Sequence, residues 1–287
     1  MKKIIALSVA ILLAMPMTIL AAENMDGKKV HRLKGSDNVV QKTIQLTGEY
    51  TEIDASRGVK VEIEERPGNE VIIWANDNVM PYVEFEIEDG ELEITIDDDV
   101  NSLSNVTVIV SLPNNNNITK IEASSAAKVQ VKPELNVKTF KADASSAAEI
   151  NFARANVESF AIDGSSSGAI KGVIKADNGY LEATSAADVD MTILAMRCTA
   201  KASSGAEIIL AGEVGTLYAE ASSAGDVVAD GCLVLEMANA KASSGASIKV
   251  NSAKKLIAKA SSGGSIRYKG EGSVVPDVSS GGSIKRM

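Results

Sequence analysis

A short motif recurs nine times in this chain of 287 residues: two serines, two small residues, one variable residue and then isoleucine or valine. Its first position falls at Ser124, Ser145, Ser165, Thr184 (the one substitution), Ser203, Ser222, Ser243, Ser261 and Ser279. Successive copies lie 18 to 21 residues apart. Such a period is typical of a solenoid, in which stacked units bury apolar faces that no single unit could bury alone. The motif therefore constrains the fold far more than the function.

Within each repeat, apolar and polar residues alternate with a period of two, which indicates a strand with one buried face. Around the second copy, Phe140, Ala142 and Ala144 alternate with Lys141 and Asp143. The small residues after the serines permit a tight corner, beyond which the alternation resumes. Short strands of successive repeats can pair in parallel. We therefore predict an all-β fold, a right-handed parallel β-helix of about 18–21 residues per coil.

The second serine of each motif falls in the inward frame of this alternation, so we expect its side chain in the core. A buried hydroxyl costs on the order of a few kcal/mol unless it is hydrogen bonded, and stacked hydroxyls could bond from coil to coil. The predicted structural ladder consists of Ser125, Ser146, Ser166, Ser185, Ser204, Ser223, Ser244, Ser262 and Ser280. A nucleophilic serine would need an adjacent base, and the only histidine, His31, precedes the repeats. No catalytic residue is predicted.

Residues 43–118 are also rich in alternating β-patterns, separated by turn signals such as Glu88-Asp89-Gly90. Residues 54–59, Asp-Ala-Ser-Arg-Gly-Val, are a weak early copy of the motif. We interpret residues 43–287 as a single β-solenoid domain. In it, residues 43–118 form a wide N-terminal part that covers the end of the stack, and residues 119–287 form the regular repeats. Residues 23–42 are a lead segment, and an independent small sandwich at the N-terminal side is the alternative.

The first 22 residues have the features of a secretory signal peptide. Lys2 and Lys3 precede an apolar run, and Ala21 and Ala22 offer a cleavage site before Glu23. An uncleaved membrane anchor is the alternative. We expect export to the periplasm, the outer surface or the medium, with no membrane-spanning segment in the mature chain.

Loss of Lys2 and Lys3 would change the formal net charge from −9 to −11. An acidic mature chain argues against nucleic acid and anionic membranes as partners, since both select basic patches. The two cysteines, Cys198 and Cys232, occupy different places around a coil. We therefore predict two small buried hydrophobes, with a disulfide as the alternative that export would allow.

Two outward columns of the predicted coils are acidic. Two residues before the first serine, successive copies carry Glu122, Asp143, Asp163 and Glu182, and four residues after it other copies carry Asp188, Glu207 and Asp226. Stacked carboxylates could hold Ca²⁺, which takes several oxygen ligands. A solvated, screened acidic face is the simpler interpretation, so no metal site is predicted and these columns stand as speculative candidates.

The segment that precedes the repeats ends in the sequence Val-Ile-Val-Ser-Leu-Pro at residues 108–113. With the small-residue repeats that follow, it resembles the bacterial head GIN domain family, also described as putative auto-transporter adhesin, over residues 43 to 287. The family's Gly-Ser-Gly corner is approached only at Asp163-Gly164-Ser165. The resemblance implies a right-handed β-helix related in shape to pectin lyases, without family-wide catalytic residues and with a role in adhesion.

These patterns predict an exported, non-enzymatic protein for adhesion, binding or scaffolding, with a glycan or protein ligand of unknown identity and no cofactor. A polysaccharide-active enzyme of pectin-lyase-like shape is one alternative, although uniform coils leave few long loops to wall a cleft. A metal-stabilised structural rod is the other. The strand edge of the last coil predicts a homo-oligomer formed through the open C-terminal coil.

Overall fold

The computed structural model describes residues 32–287, and the predicted signal peptide and His31 lie outside this range. Apart from one 3₁₀ turn, Met80–Tyr82, its regular elements are strands. The N-terminal part contains β1 Leu33–Lys34, β2 Val39–Gln45, β3 Glu52–Ala55, β4 Lys60–Glu64, β5 Glu70–Asn76, β6 Val83–Glu88, β7 Glu91–Ile96, β8 Leu103–Ser104 and β9 Val108–Pro113. No helix within residues 32–287 has the length and apolar character needed to cross a membrane.

The repeats contain β10 Lys120–Ala123, β11 Lys128–Asn136, β12 Thr139–Ala144, β13 Glu149–Asn156, β14 Ser159–Gly164, β15 Ala169–Ala183, β16 Asp188–Ala202, β17 Glu207–Ala221 and β18 Asp226–Ala242. They continue with β19 Ser247–Ser252, β20 Lys255–Ala260, β21 Ser265–Lys269, β22 Ser273–Val278 and β23 Ser283–Arg286. The predicted all-β solenoid class is confirmed.

Every strand pair among the repeats is parallel, and partners lie one coil apart in sequence. Lys128 pairs with Glu149, 21 residues later, and Ser247 pairs with Ser265, 18 residues later. In the middle of the stack, β15, β16 and β17 each run through a whole coil from one corner to the next. Inward residues therefore lie above one another along the rod.

The interior is narrow and consists of alanine, valine, isoleucine and leucine, with few aromatic rings. Two of these rings face a glycine of the next coil: Phe152 lies opposite Gly172, and Phe160 lies opposite Gly179. A Cβ on either glycine would overlap the facing ring. At these two places the small residue makes room for the large one, as dense core packing requires.

Each motif forms one tight turn at the corner of a coil. In the second copy, Ser146 and Ala147 both have positive φ, 51° and 62°, and the Ala148 N–H donates to the Ser145 carbonyl at 3.0 Å. Two consecutive left-handed residues closed by this bond make a type I′ turn. The Ala147 N–H then donates to the Ser166 carbonyl of the next coil at 3.1 Å, so corners are joined by backbone hydrogen bonds.

The predicted buried serine ladder is wrong. The serines do stack, but all of them are exposed, at the first left-handed position of each turn: Ser125, Ser146, Ser166, Ser185, Ser204, Ser223, Ser244, Ser262 and Ser280. The two central residues of a tight turn lie on its convex side, which interrupts the inward alternation for the length of the turn. Ala144 and Ala148, on either side of the turn, supply the buried side chains, and backbone bonds fix the register.

Most strands of the N-terminal part join the same sheet out of chain order, and β1 and β8 form a separate two-stranded sheet. Strands β3 and β4 pair in parallel with β10 and β11, so the coil of residues 52–64 lies directly on the first regular coil. Strands β7 and β9 pair with the outer sides of β3 and β4, and antiparallel strands β2, β5 and β6 extend the sheet beyond them. The early motif copy forms the same corner, with Arg57 and Gly58 at positive φ.

Both cysteines are buried and unpaired, as predicted from their different places around the coil. Burial raises the pKa of Cys198 to about 12 and that of Cys232 to about 11. Thiols held in the neutral form are poor nucleophiles and act here as core side chains.

Candidate functional site

The first acidic column is real and longer than the repeats alone suggest. Parallel register places Glu122 beside Asp143, Asp143 beside Asp163 and Asp163 beside Glu182. Strand β3 pairs with β10, and β7 pairs with the other edge of β3. Asp54 and Glu93 therefore extend the same column. We call these side chains the acidic column: Glu93, Asp54, Glu122, Asp143, Asp163 and Glu182. Its first two members could not be assigned from sequence, because their place depends on a stack out of chain order.

A shallow groove of about 210 Å³ runs between the acidic column and the corner turns. Its polar lining consists of Asp54, Glu122, Asp143, Asp163, Ser124, Ser145 and Ser165. The serines in the groove are the first ones of their motifs, which are half-buried. The groove thus offers carboxylates on one wall and hydroxyls on the other.

Several carboxyls of the acidic column are held toward the neutral form. Burial, and then the neighbouring charges of Glu122, Glu91 and Glu93, raise the pKa of Asp54 to about 6. Burial followed by repulsion from adjacent carboxylates also raises the pKa of Asp143 and of Asp163. Like charges at strand spacing disfavour one another's ionisation.

One lysine partly neutralises this region. The Lys120 ammonium lies 2.9 Å from the Glu122 carboxylate, 3.2 Å from Glu52 and 3.8 Å from Glu91. The hydrogen bond from Lys120 to Glu122 is the main reason that its pKa is raised. The cation therefore stays charged at the edge of the acidic column.

A second acidic groove, of about 290 Å³, lies at the N-terminal end of the rod. The antiparallel pairing of β6 and β7 sets Glu86 opposite Glu93 and Glu88 opposite Glu91. With Glu52 and Asp89 these side chains line the groove. Within residues 32–287, no group of three or more carboxylate, thiol or imidazole side chains has a geometry that could hold a metal ion.

The second predicted column is also assembled as expected. Asp188 pairs with Glu207, and Glu207 pairs with Asp226, on the strands that follow the corner turns. None of the three forms an ion pair within the described part of the chain. The nearby Asp190 carboxylate forms an ion pair with the Lys171 ammonium at 2.7 Å. Asp188 is exposed, and Glu207 and Asp226 are half-buried.

Two outward tyrosines, Tyr180 and Tyr218, share a column, with Thr199 between them. The Tyr180 hydroxyl donates to the Glu182 carboxylate at 2.6 Å, and the Lys201 ammonium lies 5.4 Å from the centre of its ring. The bond to Glu182 raises the pKa of Tyr180 to about 12. Tyr218 is 43% exposed and is the more available of the two for stacking on a ligand.

Sequence reasoning missed a third cleft, of about 270 Å³, beside the asparagine-rich loop before β10. Leu46, Tyr50 and Pro113 contribute apolar surface, and Asn69 and Asn117 contribute amides. The Tyr50 hydroxyl is buried without a hydrogen-bond partner, and burial raises its pKa to about 12. The run of four asparagines at 114–117 is the signal that could have directed attention there.

Comparison with known proteins identifies a family that matches most of the chain. A family model described as putative auto-transporter adhesin, head GIN domain, matches residues 49–172 and again residues 158–272. A comparison with curated protein sequences finds no match.

Solved structures with the same fold include a putative adhesin from Parabacteroides merdae, 19% identical, with a TM-score of 0.67 over 90% of this chain and 100% of the other. A putative adhesin from Parabacteroides distasonis is 20% identical, with a TM-score of 0.61 over 89% and 100% of the two chains. A putative lipid binding protein from the same organism is 19% identical, with a TM-score of 0.62 over 89% and 99%. At these identities the likeness concerns the fold alone.

Proposed function

Because this chain belongs to the family described as putative auto-transporter adhesin, head GIN domain, we propose that it is an exported, non-enzymatic β-solenoid. In this proposal it binds a glycan or protein at the cell surface or in the periplasm, in adhesion or scaffolding. The observation that carries the proposal is the family match over residues 49–272. The description of the family, and of two of the similar structures, as putative adhesins supports it.

The shape of the molecule supports binding through broad faces. The clefts along the described chain are open to solvent, with volumes of about 210 to 430 Å³. Small-molecule sites usually enclose most of the surface of their ligand. Flat parallel sheet faces that repeat the same side-chain positions from coil to coil favour an extended ligand held by many weak contacts.

The test is a glycan and matrix-protein array probed with the purified chain from Glu23 onward. We expect retention of a defined glycan or protein class, with the ligand recovered chemically unchanged. Export is tested in the same cells, by fractionation and by mass spectrometry of the N-terminus, which should begin at Glu23. An array without any retained ligand, or a chain that remains in the cytoplasm with residues 1–22 attached, would contradict the proposal.

A polysaccharide-active enzyme is the second candidate, favoured by one observation. Asp54, whose pKa is raised to about 6, faces Glu122 in the groove beside the acidic column, and such carboxyl pairs serve in glycoside chemistry. Incubation of polysaccharides with the protein should release no new reducing ends. Turnover that is abolished in Asp54→Asn and retained in Asp188→Asn would replace adhesion by this activity.

A metal-stabilised rod is the third candidate, and the unpaired carboxylates of Asp188, Glu207 and Asp226 are the reason to test it. The melting temperature should be the same in excess calcium and in chelator. A rise with calcium that disappears in the triple asparagine/glutamine variant at these positions would establish the metal-dependent rod.

A further inference from the structure

The net negative charge conceals a strong separation of charge along the rod. Residues 32–118, at one end, contain 18 acidic and 6 basic side chains. Residues 247–287, which form the last coils, contain 8 basic and 2 acidic side chains. The ends of the same solenoid therefore carry opposite charge, with about −12 at the N-terminal part and +6 at the last coils.

Three of these basic residues form one column on the sheet that follows the corner turns. Lys249 pairs with Arg267, and Arg267 pairs with Lys285, in successive strands β19, β21 and β23. Arg267 and Lys285 are exposed and Lys249 is half-buried. We call Lys249, Arg267 and Lys285 the basic column. Neighbouring parallel strands lie about 4.8 Å apart, which sets the spacing of its charges.

No carboxylate within residues 32–287 forms an ion pair with the basic column. The two acidic residues of the last coils are already committed, Asp277 to Lys259 at 3.0 Å and Glu271 to Arg286 at 3.0 Å. Elsewhere on the rod, several outward lysines are paired with a carboxylate of a neighbouring coil, as Lys128 is with Glu149 and Lys171 with Asp190. Like charges directly opposite each other in a sheet destabilise it. The basic column therefore lowers the stability of the protein through charge repulsion, whereas the paired lysines do not.

A column of hydroxyl groups runs beside these cations. Ser247, Ser265 and Ser283 lie two residues before the basic column in each strand, on the same face, and are in parallel register with one another. Their side chains are half-buried and make no hydrogen bond within the described chain. Each coil thus presents one cation and one hydroxyl donor at the same repeat distance.

We infer that the basic column and the adjacent serines bind an anionic glycan, a polysaccharide with carboxylate or sulfate groups spaced along its chain. The inference rests on the proposed function and names the class of ligand. A linear polyanion can follow the axis of the rod and place successive charges against successive coils. The ligand supplies the counter-charge that the protein lacks at this position.

Other polyanions fit this surface less well. A DNA duplex or an anionic membrane presents a wide, continuous negative surface, and the strongly acidic remainder of the chain would be repelled by it. A single flexible glycan chain can contact the three coils of the basic column without approaching the acidic column, and only Asp226 of the second column is in register with the adjacent serines, at Ser247. DNA and phosphatidylglycerol vesicles therefore enter the test as competing ligands.

The test uses polygalacturonate and dextran sulfate as probes, with neutral dextran, DNA and phosphatidylglycerol vesicles in parallel. The wild-type protein should bind one or both anionic glycans, with an affinity that falls as NaCl rises, and should not bind dextran. The variant Lys249→Gln/Arg267→Gln/Lys285→Gln should bind at least about tenfold more weakly. Its melting temperature should be equal to or above that of the wild type, because like-charge repulsion is removed.

The matched control is Lys128→Gln/Lys171→Gln/Lys241→Gln, which removes three exposed cations that form ion pairs. It changes the net charge equally and should keep wild-type glycan affinity. The inference would be overturned if both variants lost the same affinity, or if the first variant bound like the wild type. It would also be overturned if the wild-type protein bound neither anionic glycan, or bound DNA or vesicles more tightly. If the array identifies a ligand that the first variant binds like the wild type, the proposed adhesion stands while this inference fails.

Discussion

At each corner two consecutive residues adopt the left-handed backbone conformation, and the second of them is often not glycine. Ala126, Ala147, Ser167, Ala186 and Ala224 have φ between 60° and 64°. An L-residue pays roughly 1–2 kcal/mol for this conformation. The stacked backbone bonds on both sides hold the turn in place despite this cost.

Replacing Ala147 by glycine should stabilise the protein. Glycine removes the left-handed penalty but loses more entropy on folding, so we expect a net gain of roughly 0.5 kcal/mol. The adjacent Ala148→Gly is the control, because Ala148 is buried and does not have positive φ. It should destabilise by about 1 kcal/mol. Urea unfolding of both variants measures the difference, and a loss of stability in Ala147→Gly would show that the corner tolerates alanine without strain.

Gly172 lies against a phenylalanine ring, and this contact gives a second residue-scale prediction. A methyl group at this position would overlap the ring of Phe152, so Gly172→Ala should lower stability by roughly 1–3 kcal/mol. Gly231→Ala, whose Cβ would lie 3.3 Å from the Leu210 carbonyl oxygen, should lower stability less than Gly172→Ala. Introducing Phe152→Val together with Gly172→Ala should recover part of the loss in thermal unfolding. Without such recovery, the ring would not be the cause.

At the scale of elements, parallel pairing converts one outward residue per coil into a continuous column. The strands before the corners carry carboxylates from Glu93 through Glu182, and those after the corners carry Asp188, Glu207 and Asp226. The same register that fills the core thus also concentrates charge on the surface. The effect depends on the stack of β7, β3 and β10, which brings separate parts of the chain side by side.

The raised pKa of Asp54 makes stability depend on pH. The folded state binds the proton of Asp54 more tightly than the unfolded state, so its favourable contribution is present below about pH 4 and is lost as the pH rises through about 6. Asp54→Asn should therefore raise the melting temperature at pH 8 and leave it nearly unchanged at pH 4. Asp143 and Asp163, also raised, act in the same direction.

Asp77 provides a control of opposite sign. Its carboxylate accepts hydrogen bonds from Ser36 and Asn38, and these lower its pKa. Asp77→Asn should therefore reduce the melting temperature at neutral pH. Equal effects of Asp54→Asn at both pH values would show that its carboxyl is not held toward the neutral form.

For the whole molecule, the coils are alike in backbone but differ in what covers them. In the last coil, Val275 and Val278 are each 52% exposed. Ala260, the register partner of Val278 in the preceding coil, is fully buried. Strands β22 and β23 have partners only on their inner side within the described residues. A strand edge with unpaired amides and carbonyls invites pairing.

We expect this chain to self-associate through its C-terminal coil. Sedimentation velocity should show a species larger than the monomer that increases with protein concentration. Val275→Lys/Val278→Lys should shift the equilibrium toward the monomer, because lysines on an edge strand oppose pairing. Lysines on outward positions of strands that are paired on both edges, as in Thr192→Lys/Ala211→Lys, should not shift it. A monomer at every concentration would exclude this mode of association.

The right-handed sense of the coil, inferred from the general rule for parallel crossovers, stays a prediction. The strand pattern, the parallel stacking, the buried cysteines and those members of the two acidic columns that lie in the repeats could be obtained from the chain alone. All of these follow from local alternation and from a fixed repeat length. Phe140, Ala142 and Ala144 are buried as the period of two requires.

The tertiary structure decided which serine faces water and which parts of the chain are neighbours. Ser146 keeps the inward frame in sequence but lies at the convex tip of a turn, and only its backbone conformation reveals this. Asp54 and Glu93 join the acidic column because β3 and β7 stack on β10, a pairing without a local signal. Alternation records the environment of single strands, whereas turn geometry and the order of the stack depend on hydrogen bonds between distant residues.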